Sequence, residues 1–179
     1  MLPNLLSLAR LLLVPVVVWL LMAGQHALAF WLFVLAGISD AIDGFLARQL
    51  DARSELGGYL DPLADKALLV AVYITLGLQG VMESWLVILV VFRDLLIVGG
   101  VLLLQTLGHR PEMAPLPVSK ANTAAQISFA VLLLAERAFE FSDHGFSVVF
   151  TFIVAATTLA SGSAYLVKFG RQLLTPSPS

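Results

Sequence analysis

The sequence of 179 residues contains no cysteine. This absence excludes disulfide bonds and thiolate metal sites, and it leaves oxygen and imidazole as the available metal ligands. Imidazole is also scarce, because the chain has three histidines that are widely separated, and we assign them no role. A metal site in this chain would therefore be built from carboxylates.

Charged residues are the second scarcity. They make up 12% of the chain, against 59% hydrophobic residues and a mean hydropathy of +0.94. A soluble domain carries about 25% charged residues, so this chain has too few to cover a water-facing surface. We predict an integral membrane protein with one domain over residues 1–179 and a disordered tail at 175–179. The net charge of −2 is uninformative about nucleic acid, but the lack of a basic run argues against it as a partner.

Long apolar runs predict an all-α fold with six transmembrane helices. Residues 2–9 precede them as a short amphipathic stretch, which we expect to lie on the membrane surface as an interfacial helix. The end of the first run faintly resembles a signal-peptidase site, but a second apolar run follows at once, which favours a helical hairpin. The predicted spans are 10–24, 27–50, 59–78, 85–107, 120–134 and 146–167.

The distribution of Lys and Arg predicts the orientation of these helices. With both termini on one side, eight of the ten cations fall on that side, Arg137 falls on the other and Arg93 lies within a span. Cytoplasmic loops carry such an excess, so we expect a bacterial inner-membrane type of protein with both termini and the active site cytoplasmic. The eight are Arg10, Arg48, Arg53, Lys66, Arg110, Lys120, Lys168 and Arg171.

Four aspartates interrupt the apolar pattern in the second and third predicted helices. Asp40 and Asp43 are three residues apart and Asp61 and Asp65 are four apart, so each pair projects from one face of a helix. A carboxylate within a membrane is costly unless it is paired, wetted or bound to a cation. Four of them on facing helices could hold two Mg²⁺ or Mn²⁺ ions, which clamp a pyrophosphate during displacement at phosphorus.

Small residues and a cation follow the first acid pair. Gly44 and Ala47 leave room beside the acids for a flat group such as a nucleobase, and Arg48 suits a phosphate oxygen. Taken singly, such acids more often form a solvated helix face, and such small residues more often allow close helix packing. A divalent-cation channel or carrier is a further alternative, but all four acids lie in one hairpin, beside an arginine that would repel a passing cation.

The segment from Asp40 to Asp65 matches the pattern D-x₂-D-G-x₂-A-R-x₈-G-x₃-D-x₃-D without a gap or substitution. It resembles the signature of the CDP-alcohol phosphatidyltransferases. The resemblance implies a six-helix membrane enzyme, a homodimer in most cases, that moves a phosphatidyl group from CDP-diacylglycerol to an alcohol and releases CMP. The eight matching positions are Asp40, Asp43, Gly44, Ala47, Arg48, Gly57, Asp61 and Asp65.

The resemblance also implies a role for each signature residue. The four aspartates would hold two divalent cations, Mg²⁺ or Mn²⁺. Asp65 would in addition act as the base on the acceptor hydroxyl. The CDP moiety would be bound by Gly44, Ala47 and Arg48.

Segments outside the signature resemble the mitochondrial-type, CMP-forming cardiolipin synthase branch, for which the acceptor is phosphatidylglycerol. These segments are 119–126 and 163–171. The branch that uses glycerol 3-phosphate tends to have a second lysine where this chain has Asn122. We therefore expect cardiolipin as the product, with phosphatidylglycerophosphate from glycerol 3-phosphate as the alternative.

Arg93 lies in the middle of the fourth predicted span and should not stay unpaired there. Either it forms a structural ion pair, or it binds the phosphate of the acceptor together with Lys120 and Thr123. Asp94 is its neighbour in the chain, and on a helical wheel the two side chains leave in different directions.

Overall fold

The computed structural model describes the backbone of residues 2–49, 57–107, 116–142 and 145–174, and the side chains of 8–39, 66–107, 116–142 and 145–174. The predicted disordered tail at 175–179 lies outside these ranges, and so do residues 108–115. The described residues contain no strand, as the all-α prediction requires. Their helices are α1 Leu2–Met22, α2 His26–Gln49, α3 Gly57–Leu78, α4 Ser84–Thr106, α5 Pro117–Phe139 and α6 Phe146–Leu174.

The first helix corrects one prediction. Residues 2–9 do not form a separate interfacial helix, because α1 runs without a break over Leu2–Met22. The junction contains Leu8, Ala9, Arg10 and Leu11, which are all strong helix formers, and no residue there would end the helix. The last helix is also longer than predicted and continues from residue 167 to Leu174.

Within the described residues, three helices are long and apolar enough to cross a membrane, namely α4, α5 and α6. The apolar stretches described in the other helices are shorter, at Leu8–Met22, His26–Ser39 and Lys66–Leu78. Helix length and composition thus give three candidate spans among the described residues, and the total of six spans stays a prediction.

The chain folds into two compact units, and the first contains residues 1–82 and 130–144. In this unit α1 packs against both α2 and α3. Val17, Val72 and Tyr73 are completely buried in its core. The Nε2 of Gln79 donates a hydrogen bond of 2.8 Å to the carbonyl oxygen of Leu21, which joins the ends of α3 and α1.

The second unit contains residues 83–129 and 145–179, and in it α4 packs against α6. Leu104 of α4 forms a buried cluster with Tyr165 and Phe169 of α6. The helices approach closely at Gly100, because a Cβ atom added there would collide with the ring of Phe169. Gly99, its neighbour, has open space around the same position.

We expect Gly100→Ala to destabilise the protein and Gly99→Ala to leave it unchanged or slightly more stable. Overpacking a tight contact costs about 1–3 kcal/mol, while alanine gains up to about 1 kcal/mol over glycine inside a helix. Thermal unfolding in a mild detergent compares the two variants directly. Equal effects of both substitutions would show that Phe169 does not constrain this contact.

Candidate functional site

The four aspartates of the signature lie on two described helices. Asp40 and Asp43 belong to α2, and Asp61 and Asp65 belong to α3. The helical backbone gives each pair the one-face spacing on which the metal prediction depends. The side chains of these four residues lie outside the described ones.

The remaining signature residues are on the same two helices. Gly44, Ala47 and Arg48 lie in the last turns of α2, and Gly57 is the first residue of α3. Their side-chain surroundings are likewise outside the described part of the chain. Among the side chains that the structure describes, no group of three or more His, Asp or Glu residues could hold a metal ion. The donor set of the signature, four carboxylates, has the oxygen chemistry that Mg²⁺ and Mn²⁺ prefer.

Arg10 lies close to the acid-bearing end of α2. Its side chain is only 5% exposed, and it lines a cavity of about 130 Å³ between α1 and α2. Ser39, the residue before Asp40, lines the same cavity. The sequence already suggested Arg10 as one of the cations near the site, and its burial beside Ser39 places a cation next to the signature.

Arg93 of α4 is 2% exposed and uses all three of its side-chain nitrogen atoms. Its Nη1 contacts the Oδ1 of Asp94 at 2.6 Å, and its Nε donates a hydrogen bond of 3.1 Å to the hydroxyl of Ser161. Its Nη2 donates to the hydroxyls of Ser119 and Ser161. The prediction that Arg93 is paired is therefore confirmed.

The expectation that Asp94 points away from Arg93 is wrong. Side chains of adjacent helical residues do leave the helix about 100° apart, but the long arginine side chain bends so that Nη1 reaches the carboxylate. Ser119 and Ser161, which complete the cluster, received no role from the sequence. In the sequence they are only small polar residues within apolar helices. Such residues also occur where helices simply pack closely, so they did not indicate a cluster.

The cluster joins three helices of the second unit. Arg93 and Asp94 come from α4, Ser119 from α5 and Ser161 from α6. The guanidinium carbon also lies 5.9 Å from the ring centre of Tyr165. One positive and one negative charge are thus buried together, so the cluster has a formal net charge of zero.

The other acceptor-site predictions fall on α5. Lys120 is exposed, and the hydroxyl of Thr123 donates a hydrogen bond of 3.1 Å to the carbonyl oxygen of Ser119. Asn122 is completely buried, and its Oδ1 lies 2.9 Å from the hydroxyls of both Thr157 and Thr158. Lys120 is thus exposed, whereas Asn122 is buried and hydrogen-bonded to α6.

Comparison with known proteins identifies the class of this chain. The family model for CDP-alcohol phosphatidyltransferase matches residues 1–160. The match covers most of the sequence, including the whole signature and the Arg93 cluster apart from Ser161. The chain belongs to the CDP-alcohol phosphatidyltransferase family, and its apolar helices and its relatives make it a membrane protein.

Three curated relatives illustrate the similarity. The CDP-diacylglycerol–glycerol-3-phosphate 3-phosphatidyltransferase 1 of Oryza sativa subsp. japonica, a chloroplastic protein, is 37% identical over 94% of this chain. The cardiolipin synthase (CMP-forming) of Homo sapiens is 32% identical over 95%. The cardiolipin synthase (CMP-forming)/mitochondrial hydrolase fusion protein of Schizosaccharomyces pombe is 34% identical over 93%. The chain spans 56%, 62% and 31% of their respective lengths.

We expect Asp94→Asn to lower the free energy of unfolding by about 3–5 kcal/mol, because it leaves the buried Arg93 without its counter-charge. Ser161→Ala removes a hydrogen-bond acceptor of the same guanidinium and should cost about 1–3 kcal/mol. Ser163→Ala, at an exposed serine two residues further along α6, is the control and should change stability by less than about 0.5 kcal/mol. The three variants are compared by denaturant unfolding. Equal denaturant midpoints for all three would refute this role of the cluster.

Proposed function

We propose that this chain transfers a phosphatidyl group from CDP-diacylglycerol to an alcohol and releases CMP, as a step of phospholipid biosynthesis. The observation that carries the proposal is the complete signature on two helices, with all eight positions at the required spacing. Membership of the family supports it. The relatives named above catalyse reactions of this type according to their names, on the glycerol 3-phosphate and cardiolipin sides of the family.

The proposed roles of the residues are those that the family resemblance implies, and their chemistry is compatible with them. Arg48 forms charge-assisted hydrogen bonds with a phosphate of the CDP donor, and the small residues Gly44 and Ala47 leave space for the nucleotide beside α2. Asp65 accepts the proton of the acceptor hydroxyl as that oxygen attacks phosphorus. Bound in one site, the donor and acceptor react as if at a high effective concentration, which compensates for the weak basicity of an ionised carboxylate.

The same site would hold two divalent cations, Mg²⁺ or Mn²⁺, on Asp40, Asp43, Asp61 and Asp65. When bound, they supply positive charge that stabilises the pyrophosphate and the departing CMP. Asp40 and Asp43 would act as a pair on α2 and Asp61 and Asp65 as a pair on α3.

Phosphatidylglycerol is the acceptor that we favour, with cardiolipin as the product. Glycerol 3-phosphate carries nearly two negative charges and must be captured from water by several cations. In the second unit, the charge of Arg93 is balanced by Asp94, and Asn122 is neutral and buried. Lys120 is exposed, and Thr123 contributes a hydroxyl rather than a charge. This balance suits the single charge of a lipid phosphodiester that is already concentrated in the bilayer.

The alternative acceptor is glycerol 3-phosphate, with phosphatidylglycerophosphate as the product. The identity of 37% with the rice glycerol-3-phosphate enzyme favours it. The chemistry at phosphorus is the same for both acceptors, since each offers a primary hydroxyl. Only the charge and the route of access of the acceptor differ.

We also propose that both termini and the active site face the cytoplasm of a bacterial cell, with the protein in the inner membrane. The excess of Lys and Arg on one side of the predicted spans supports this orientation. A homodimer is proposed on the family resemblance alone.

Asp65→Asn should lower turnover by at least about 10²–10⁴-fold, because it removes the base and one metal ligand. It should leave appreciable binding of CDP-diacylglycerol, since the other three acids and Arg48 remain. Asp51 lies between Asp40 and Asp65 but is not one of the eight signature positions. Asp51→Asn is therefore the matched control and should keep its activity. Release of CMP and binding of labelled donor are measured on the same preparations, and full activity of Asp65→Asn would contradict the assigned base.

Phosphatidylglycerol should be converted faster than glycerol 3-phosphate by the purified chain. Each labelled acceptor is incubated in turn with CDP-diacylglycerol and the divalent cation, and the lipids are separated by chromatography. Faster incorporation of glycerol 3-phosphate would make the alternative acceptor correct while leaving the transferase chemistry intact. No incorporation of either acceptor, together with no release of CMP, would contradict the transferase proposal itself.

A further inference from the structure

A groove in the second unit contains none of the residues assigned to catalysis. Its volume is about 550 Å³, and it is formed by the last turns of α6 and by Leu116, just before α5. Its lining includes the apolar residues Ala164 and Val167 and the cations Lys168 and Arg171. The groove therefore combines an apolar surface with two cations within one helical turn.

The position of these cations along α6 matches the edge of a bilayer. From Phe146, where α6 begins, to Lys168 the helix rises by about 33 Å. The hydrocarbon core of a bilayer is about 30 Å thick. If α6 starts at one boundary of that core, Lys168 and Arg171 reach the phosphate groups of the opposite leaflet. Val167 then lies at the opposite boundary of the core, and Ala164, at about 27 Å from Phe146, remains at the depth of the acyl chains.

We propose that this groove binds one anionic glycerophospholipid of the bilayer. Its headgroup phosphate contacts Lys168 and Arg171, and one acyl chain lies along Leu116, Ala164 and Val167. The charge of the two side chains selects for a lipid with net negative charge, since each cation near a membrane surface contributes about 1 kcal/mol to such binding. The groove shares no residue with the signature or with the Arg93 cluster, so lipid binding there can be measured separately from turnover.

The first unit offers a matched control. A groove of about 480 Å³ is lined there by residues of α1 and α3, including Val18, Ala71 and Ile74. Its size is similar, but none of its lining residues is charged. This control groove should hold acyl chains without preference for the headgroup.

Because the chain contains no cysteine, a single fluorophore can report from either groove. Ser163→Cys places it in the cationic groove and Ile74→Cys in the control groove. The labelled full-length chain is reconstituted into phosphatidylcholine vesicles, and brominated phosphatidylserine or brominated phosphatidylcholine with the same acyl chains is added as a quencher. No CDP donor is present, so lipid binding is measured without turnover.

At the Ser163 reporter, the anionic quencher should be preferred by about 5–30-fold, which corresponds to one or two cations in contact with the phosphate. Lys168→Gln with Arg171→Gln should abolish this preference, and Arg137→Gln, at an exposed cation of α5, should not. Val167→Trp should fill the groove and weaken anionic quenching with both cations in place. The Ile74 reporter should show no preference.

Equal quenching by the two lipids at Ser163 would overturn the proposal. It would also be overturned if the preference survived Lys168→Gln with Arg171→Gln, or if Arg137→Gln reduced it as strongly, since the effect would then come from general surface charge. Should the double variant fail to reconstitute, an undiminished preference in Val167→Trp would overturn it equally. Failure of the transferase assay would leave all of these outcomes unaffected.

Discussion

An apolar chain must compensate every charge that it buries, and this constraint governs the described structure. Arg93 satisfies it through Asp94 and through the hydroxyls of Ser119 and Ser161. A buried charge that loses its partner costs several kcal/mol, so the helices that supply the partners are held together by the arginine. The cluster links α4, α5 and α6 and sets their register in the second unit. The close contact of Gly100 with Phe169 lies on two of these helices, α4 and α6, and depends on that register.

We propose that the same constraint applies to the four aspartates of α2 and α3, whose side chains lie outside the described ones. The cations of the signature cannot balance them, because Arg48 supplies one positive charge against four negative ones. Divalent cations are the compensation that the composition allows, since the chain has no thiolate and few imidazoles. A site that needs metal ions for charge balance is then also a site that binds a pyrophosphate. On this view the negative charge of the four acids explains both why they need metal ions and how they contribute to catalysis.

Much of the fold followed from apolar periodicity, and the errors have physical reasons. The described helices were anticipated because their apolar runs are long and are separated by turn residues. The continuity of α1 was missed because an amphipathic pattern at 2–9 suggested a separate element, while the junction contains only helix formers. The contact between Arg93 and Asp94 was missed because a helical wheel describes Cβ directions and not the reach of a long side chain. Ser161 was missed because one serine among small apolar residues has no distinctive pattern.

The signature was recognisable in the sequence because its residues are close in the chain. The signature occupies residues 40–65, and fixed spacing on helices is enough to define it. The Arg93 cluster was less accessible, because its residues come from α4, α5 and α6 and meet only in three dimensions. The hydrogen bonds of Asn122 to Thr157 and Thr158 depend on how α5 packs on α6, which no local pattern specifies.

The central claim is that the four aspartates form a site for two divalent cations. Electron paramagnetic resonance of Mn²⁺ added to the purified chain counts the bound ions directly, without substrate or turnover. We predict two bound Mn²⁺ ions per chain, reduced affinity or number in Asp61→Asn, and no change in Asp51→Asn. No binding by the native sequence, or the same binding in Asp61→Asn as in Asp51→Asn, would contradict this claim.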